Sequence, residues 1–374
     1  MPALITGSAV RTCLGDGTAT FSALLRGVSG VSELRYVDSS KVNVTHGYHI
    51  LEDREEGLFR ASRWLTDCVS DALAQSGVDP RRERVIALVG TGLRELRAVE
   101  RFALEPFVVP TEHLHFSAAV LEASPHIEKV ITISNACSAG GHALALAQDL
   151  IELEEADAVI VAGTDAMTES MLAMIGRFAE TPADHVRPFD AGRISVLLGE
   201  GAAALVVVPN GSFTRPLARL LSTGLSCDAH HETAPDADGI WRAMQDALGR
   251  TDKLAADVDL VVAHGTGTAL NDPVEMELVR TLKAFDRPGP LITAIKGAIG
   301  HTSGGSALVS VDVAIRCLNT GLVPPIVGLR EPLTEGRGIR LVIGEPIEAS
   351  LRLACVNSFG FGGVNAITLL ETTA

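Results

Sequence analysis

The stretch VITISNACSAGG, residues 130 to 141, decides how the chain is read. Its first half is a short β-branched apolar run, which predicts a buried strand. Small or apolar residues then recur at Ala139, Ala143, Leu146, Ala147 and Leu150, the spacing of one helix face. The turn between them carries Cys137. A thiol is therefore expected at a helix N-terminus, where unpaired N–H groups and the positive end of the dipole favour thiolate over thiol. On these residues alone Cys137 is either a nucleophile or a small buried hydrophobe.

Working outward, similar apolar runs alternate with helical patterns: VIALVG (85 to 90), DAVIVAG (157 to 163), ALVVV (204 to 208) and DLVVAHG (259 to 265). That rhythm predicts a layered α/β fold. Gly199-Glu200-Gly201 leads into AAALVVV, and Gly360-Phe361-Gly362-Gly363 leads into VNAITLL. Two glycine-led buried strands predict a duplicated fold with halves 1 to 210 and 211 to 374, packed as one compact unit. The stretch from Pro209 to Pro216 is long enough for a connecting loop and too short for a flexible tether.

The 374 residues carry 31 basic and 46 acidic side chains, a balance of −15, with no Lys/Arg run, which excludes a nucleic-acid binder. The six cysteines are scattered without a CxxC pair, so neither a disulfide framework nor a zinc ribbon is expected, and a reducing cytoplasm is. His113, His115, Cys227, His230 and His231 do not make a recognised metal-ligand spacing. No basic and apolar leader opens the chain, and no apolar run is long enough to span a bilayer.

Two further motifs carry chemistry. Ala263-His264-Gly265-Thr266-Gly267-Thr268, with Asp272 and Glu275 beyond it, places an imidazole at the carboxyl end of a strand, where open α/β sheets bind ligands. Lys296-Gly297-Ala298-Ile299-Gly300-His301-Thr302 follows the apolar run LITAI and again delivers a His after a strand and a glycine. Gly90-Thr91-Gly92 hints at a dinucleotide loop, but Glu95 stands where the third glycine belongs.

With these motifs in place the chain resembles the β-ketoacyl synthases, condensing enzymes with a thiolase-like fold. The likeness runs in order from ALITGSAVRTCLGDG through the Cys137 turn, Arg187-Pro188-Phe189-Asp190, Gly199-Glu200-Gly201, HGTGT and KGAIGHT to Asn357-Ser358-Phe359-Gly360-Phe361-Gly362-Gly363. It implies a layered α-β-α-β-α fold of two pseudo-duplicated halves. It also implies decarboxylative Claisen condensation of a carrier-bound acyl group with malonyl-carrier protein, in fatty-acid, polyketide or polyene biosynthesis.

By this resemblance Cys137 takes the acyl group, and His264 and His301 stabilise the enolate left by decarboxylation. The backbone N–H groups of Cys137 and Phe361 form the oxyanion hole, and the Phe361 ring gates the acyl chain. Lys296 and Glu275 are supporting residues, expected as a buried ion pair, with Asp272 beside them. Thr266 and Thr268 either hold the phosphopantetheine arm or bond the loop backbone. No metal or permanent cofactor is implied. The implied partners are an acyl carrier protein, docked near Arg54, Arg60 and Arg63 unless these form a plain solvated face, and a second subunit in a homodimer or a heterodimer. The chain departs from the family at Ile194-Ser195-Val196, where Asp-Gly-Phe is common, and between Phe102 and Val130, which is short and lacks a Gly-Pro step. Its compact length suggests a specialised discrete synthase. Two alternatives stand beside this: a Cys-dependent acyltransferase that makes no carbon–carbon bond, and a chain-length or scaffold subunit.

Overall fold

The computed structural model describes residues 3–51, 58–101, 108–177, 180–211, 215–283 and 288–373. Among them eleven strands line up in one sheet, and the short strand Gly15–Asp16 folds back on the first. In chain order they are β1 (Ala3–Thr12), β2 (Val85–Gly90), β3 (Lys129–Ile133), β4 (Ala158–Asp165), β5 (Gly201–Pro209), β6 (Ala218–Cys227), β7 (Leu260–Val262), β8 (Leu291–Thr293), β9 (Arg340–Leu341), β10 (Leu353–Gly360) and β11 (Val364–Glu371). Their spatial order is β9-β8-β7-β10-β11-β6-β1-β5-β4-β2-β3.

The middle of this order is the antiparallel pair β1–β6, with Leu4 opposite Arg219. Moving outward from it, β5 and β4 are added antiparallel and β2 and β3 parallel on one side. On the other side β11 and β10 are added antiparallel, then β7 and β8 parallel. The two glycine-led strands of the sequence, β5 and β11, thus occupy matching places next to the central pair.

Five helices cover the sheet: α1 (Arg60–Ser76), α2 (Ala139–Glu152), α3 (Ala237–Gly249), α4 (Asn271–Thr281) and α5 (Ser306–Thr320). Because side chains alternate across a strand, each strand feeds two cores. Ile86, Leu88, Val159, Val161, Leu205, Leu260, Val262 and Val356 meet α2 and α5 in a shared interior. Their neighbours Val85, Ala87, Val89, Ile160 and Val206 face α1 through Trp64, Leu65 and Val69. Val261, Ala263, Cys355 and Ile367 face Ile240, Ala243 and Met244 of α3 and Met276 and Val279 of α4. The result is five layers, α-β-α-β-α, as the resemblance implies.

Being internal, α5 buries twelve of its fifteen residues and so is apolar almost all round. Its one buried acid, Asp312, is met by Arg316 Nε at 2.6 Å and Ser8 Oγ at 2.6 Å. Gly90 owes its identity to packing: a Cβ there would sit 2.7 Å from the Gly140 nitrogen, in the first turn of α2. This close approach accounts for the glycine without a dinucleotide. No helix among the described residues is long and apolar enough to cross a membrane.

Candidate active site

At the end of β3 the chain passes through a 3-10 turn, Ala136–Ser138, directly into α2. Ala136 holds a left-handed backbone at φ 51°, a strained conformation for a residue with a Cβ. The turn is held from the far side, where the Ser358 hydroxyl donates to the Cys137 carbonyl at 3.0 Å. Cys137 is 7% exposed, and both its own N–H and that of Phe361 are directed at its sulfur. The two N–H groups expected as oxyanion donors therefore lie beside the Cys137 sulfur. The expected thiolate does not follow. Burial pushes the Cys137 thiol up to about 11, outweighing the nearby Lys296 charge and these N–H groups. The resting group is a thiol.

His264 leaves β7 into the Gly/Thr loop. Glu275, reaching back from α4, accepts the His264 and Gly265 N–H groups at 2.7 and 2.8 Å and the Asn357 side chain at 2.9 Å. Asp272 likewise accepts the Phe189 N–H at 2.7 Å and the Gly267 N–H at 3.1 Å. Burial, the larger influence, lifts Asp272 to about 6. These two acids are thus fasteners of the loop.

Lys296 and Glu275 make no direct ion-pair contact, although the Glu275 charge still favours the Lys296 ammonium. Lys296 Nζ donates to the His264 carbonyl and lies 3.4 Å from His264 Nδ1, while Glu275 spends its oxygens on the N–H donors above and on Asn271. Lys296 is 1% exposed, and burial brings its ammonium down to about 8. His264 Nδ1 also faces the Phe359 N–H at 3.5 Å, so it acts as the acceptor nitrogen and Nε2 carries the proton.

The His301 ring stands edge-on to His264, with centroids 5.4 Å apart at 86°. Its backbone is pinned to the 194–200 segment: the His301 N–H donates to the Leu197 carbonyl and the Gly199 N–H to the His301 carbonyl. His301 Nδ1 is buried without a hydrogen-bond partner among the described residues. Burial first, and the Lys296 charge second, hold both imidazoles well below their ordinary range, so both are neutral at neutral pH.

Cys137, His264, His301, Thr266, Thr268 and Phe361 line one cavity of about 200 Å³, with Lys296 behind His264. Thr266 and Thr268 hydroxyls bond each other at 2.9 Å, and Thr268 also accepts the Asn271 N–H. Gly362 and Gly363 take φ 85° and 77°, which a side chain would resist, and carry Phe361 to the mouth, where it is 36% exposed. Ile194, Ser195 and Val196 form part of the wall.

Two structural roles were not anticipated. Asp165, the last residue of a strand buried throughout, accepts Thr91 Oγ1 and the N–H groups of Gly92, Leu93 and Gly304 at 2.6 to 2.8 Å. An acid closing a strand that is otherwise apolar but for Thr164 was its one sequence signal. Asn357 and Ser358 sit in a motif that had been noticed for its glycines. The basic docking cluster is corrected: Arg60 is 7% exposed, bonded to Glu200 at 2.8 Å and stacked over Trp64 at 4.9 Å. It faces inward because the first turn of α1 packs on the Glu200 segment. Arg63 is half-buried and donates to the Leu58 carbonyl, and Arg54 lies outside the described residues.

Comparison with known proteins supplies the family. Residues 2–210 match the profile described as Beta-ketoacyl synthase, N-terminal domain, and residues 217–330 the one described as Beta-ketoacyl synthase, C-terminal domain. The chain belongs to the β-ketoacyl synthase family. Among curated members of that family it is similar to 3-oxoacyl-[acyl-carrier-protein] synthase 2 of Rhizobium meliloti (strain 1021), 28% identical over 98% of each chain. The protein of the same name from Mycobacterium tuberculosis (strain ATCC 25618 / H37Rv) is 29% identical over 97% of this chain and 95% of its own. Among solved structures, the ishigamide ketosynthase/chain length factor superimposes with a TM-score of 0.90 at 26% identity, covering 100% of this chain and 99% of that one.

Proposed function

We propose that this β-ketoacyl synthase joins a carrier-bound acyl group to a malonyl unit by decarboxylative condensation. The observation that carries the reading is one cavity lined by a thiol with two N–H donors aimed at its sulfur and by two neutral imidazoles. In the first step Cys137 Sγ attacks the acyl thioester carbonyl, whose oxygen takes charge toward the Cys137 and Phe361 N–H groups, and the carrier thiol leaves with the proton. In the second, the bond from malonyl C2 to its carboxyl carbon breaks and carbon dioxide departs. The electron pair remains as an enolate whose oxygen accepts N–H bonds from His264 and His301. C2 then attacks the Cys137-bound carbonyl, and the sulfur leaves and regains a proton. Each well-aimed donor in such a site is worth about 3 kcal/mol of barrier.

Lys296 supports His264 from behind, and its charge opposes protonation of both rings, preserving them as neutral donors. Thr266 and Thr268 at the mouth suit the amides of a phosphopantetheine arm. We place the acyl carrier protein as the partner on the strength of the curated relatives' names. A related second subunit draws on the ketosynthase/chain length factor title. We also treat halves 1–210 and 211–374 as one working unit. The six free cysteines suit a cytoplasmic setting.

The test is to incubate the protein with acylated and then malonylated carrier protein, following intact mass and carbon dioxide release. Product formation with an acyl adduct on Cys137 is expected. An adduct without decarboxylation turns the reading to a simple acyltransferase, and no adduct turns it to a chain-length subunit.

A further inference from the structure

Of the hydroxyl groups lining the cavity, three are engaged within the protein. Thr266 and Thr268 bond each other, and Thr233 reaches His231 Nδ1 at 3.4 Å. Ser195 lines the same cavity and is 5% exposed, yet its hydroxyl makes no hydrogen bond among the described residues. It stands two residues before Leu197, whose carbonyl accepts the His301 N–H, and next to it Leu198 bridges His301. Ser195 is therefore on the His301 side of the cavity. The hydroxyl opens into the cavity without a protein partner, so it is free to bond a ligand there.

The cavity holds no cation among the described lining residues. Arg193, beside Ile194, turns its guanidinium to the carbonyls of Thr268 and Asp190 at 3.1 and 3.0 Å, and Lys296 is committed to His264. A malonyl thioester nevertheless brings a carboxylate into this space. Thr302 and Ser303, next to His301, also carry unpartnered hydroxyls, but neither lines the cavity; with the two imidazoles directed at the thioester oxygen, the uncommitted hydroxyl that does line it is that of Ser195. We propose that Ser195 Oγ donates a hydrogen bond to the malonyl carboxylate and thereby sets how tightly the extender binds, an inference that rests on the condensing reading above.

The chemistry explains why one neutral donor suits the place. As the carboxylate becomes carbon dioxide its charge moves to the enolate, so any bond to it is stronger before the transition state than in it. A cation there would trap the extender, whereas a hydroxyl holds it and lets go. The apolar flanks, Ile194 and Val196, offer the carboxylate nothing else and favour its loss as a neutral gas. The signature is a split: Ser195 acts on KM for the malonyl thioester and slightly opposes kcat.

The experiment measures steady-state carbon dioxide release and product formation with malonylated carrier protein for the intact chain and for Ser195→Ala, Ser195→Gly and Ser195→Thr. Loss of one hydrogen bond to a charged group predicts a rise in malonyl KM of about tenfold in the Ala and Gly variants, with kcat rising. KM for the acyl donor does not follow, and Ser195→Thr, which keeps the hydroxyl, restores malonyl KM. An unchanged malonyl KM in both Ala and Gly variants overturns the role of Ser195, and so does an equal rise in KM for both substrates. Wild-type protein that releases no carbon dioxide overturns the condensing reading itself, and with it this inference.

Discussion

Two 3-10 turns feed the two central helices. Ala136–Ser138 opens α2 and Ser303–Gly305 opens α5, and each contains a non-glycine residue in the left-handed region, Ala136 at φ 51° and Ser303 at φ 48°. The middle residue of each turn presents an N–H. At Cys137 that N–H points toward its own sulfur, beside the N–H of Phe361. At Gly304 the same N–H is spent on Asp165 at 2.7 Å. One turn leaves its backbone donor beside a sulfur, where the proposed reaction would use it for a substrate oxygen, and the other has it capped by a carboxylate. What that second side offers the cavity is a side chain, the His301 ring, to which the proposed function gives the chemistry. Similar local geometry yields different sites according to what fills a single N–H.

Removing the sulfur breaks the comparison most completely. Cys137→Ala should abolish acylation and lower condensation by at least about a thousandfold, read by intact mass and carbon dioxide release. His264→Ala and His301→Ala each remove a donor from the other side. They should cost roughly a hundred- to a thousandfold in condensation while acylation of Cys137 suffers less, which single-turnover mass measurement separates.

Asp165→Ala strands four donors at once and should destabilise the fold by about 4 kcal/mol, seen as a lowered urea midpoint. A neutral response would mean that the cap on Gly304 is incidental. The smallest effect concerns Glu95, 1% exposed, which accepts the Ser62 N–H at 2.7 Å. Burial first, with the Asp165 charge adding, lifts it to about 7 from its ordinary 4.5. Between pH 4.5 and 7 the folded chain holds a proton that the unfolded one has lost. This contribution to stability is full below pH 4.5 and is gone above about 7. Glu95→Gln removes that slope, so the variant should gain about 3 kcal/mol relative to wild type on going from pH 4.5 to 8. Parallel melting curves for the two proteins across this range would sink the assignment.

Much of the layered fold was legible because continuous β-branched apolar runs declare buried strands whatever their partners. The convergence of Cys137, His264 and His301 on one cavity was legible through motif order, since each follows the carboxyl end of a strand. What escaped has a common cause. Asp165 collects donors from residues 91 to 93 and 304, and Ser358 reaches the Cys137 carbonyl across 221 positions, links that no local spacing encodes. Lys296 and Glu275 were matched by charge, but backbone N–H groups, which every residue offers, claimed the carboxylate first. The Cys137 thiolate was expected from the helix terminus alone, because the weight of burial is invisible until the neighbours are known. Arg60 was assigned to the surface on charge, although its position among Trp64, Ala61 and Leu65 on α1 already leans inward.

The buried thiol at the α2 turn has a consequence for durability. Peroxide and adventitious alkylating agents attack the anionic form of sulfur, and here that form is scarce at neutral pH. With the cavity empty the sulfur is therefore sheltered from oxidative damage, whatever reaction it serves.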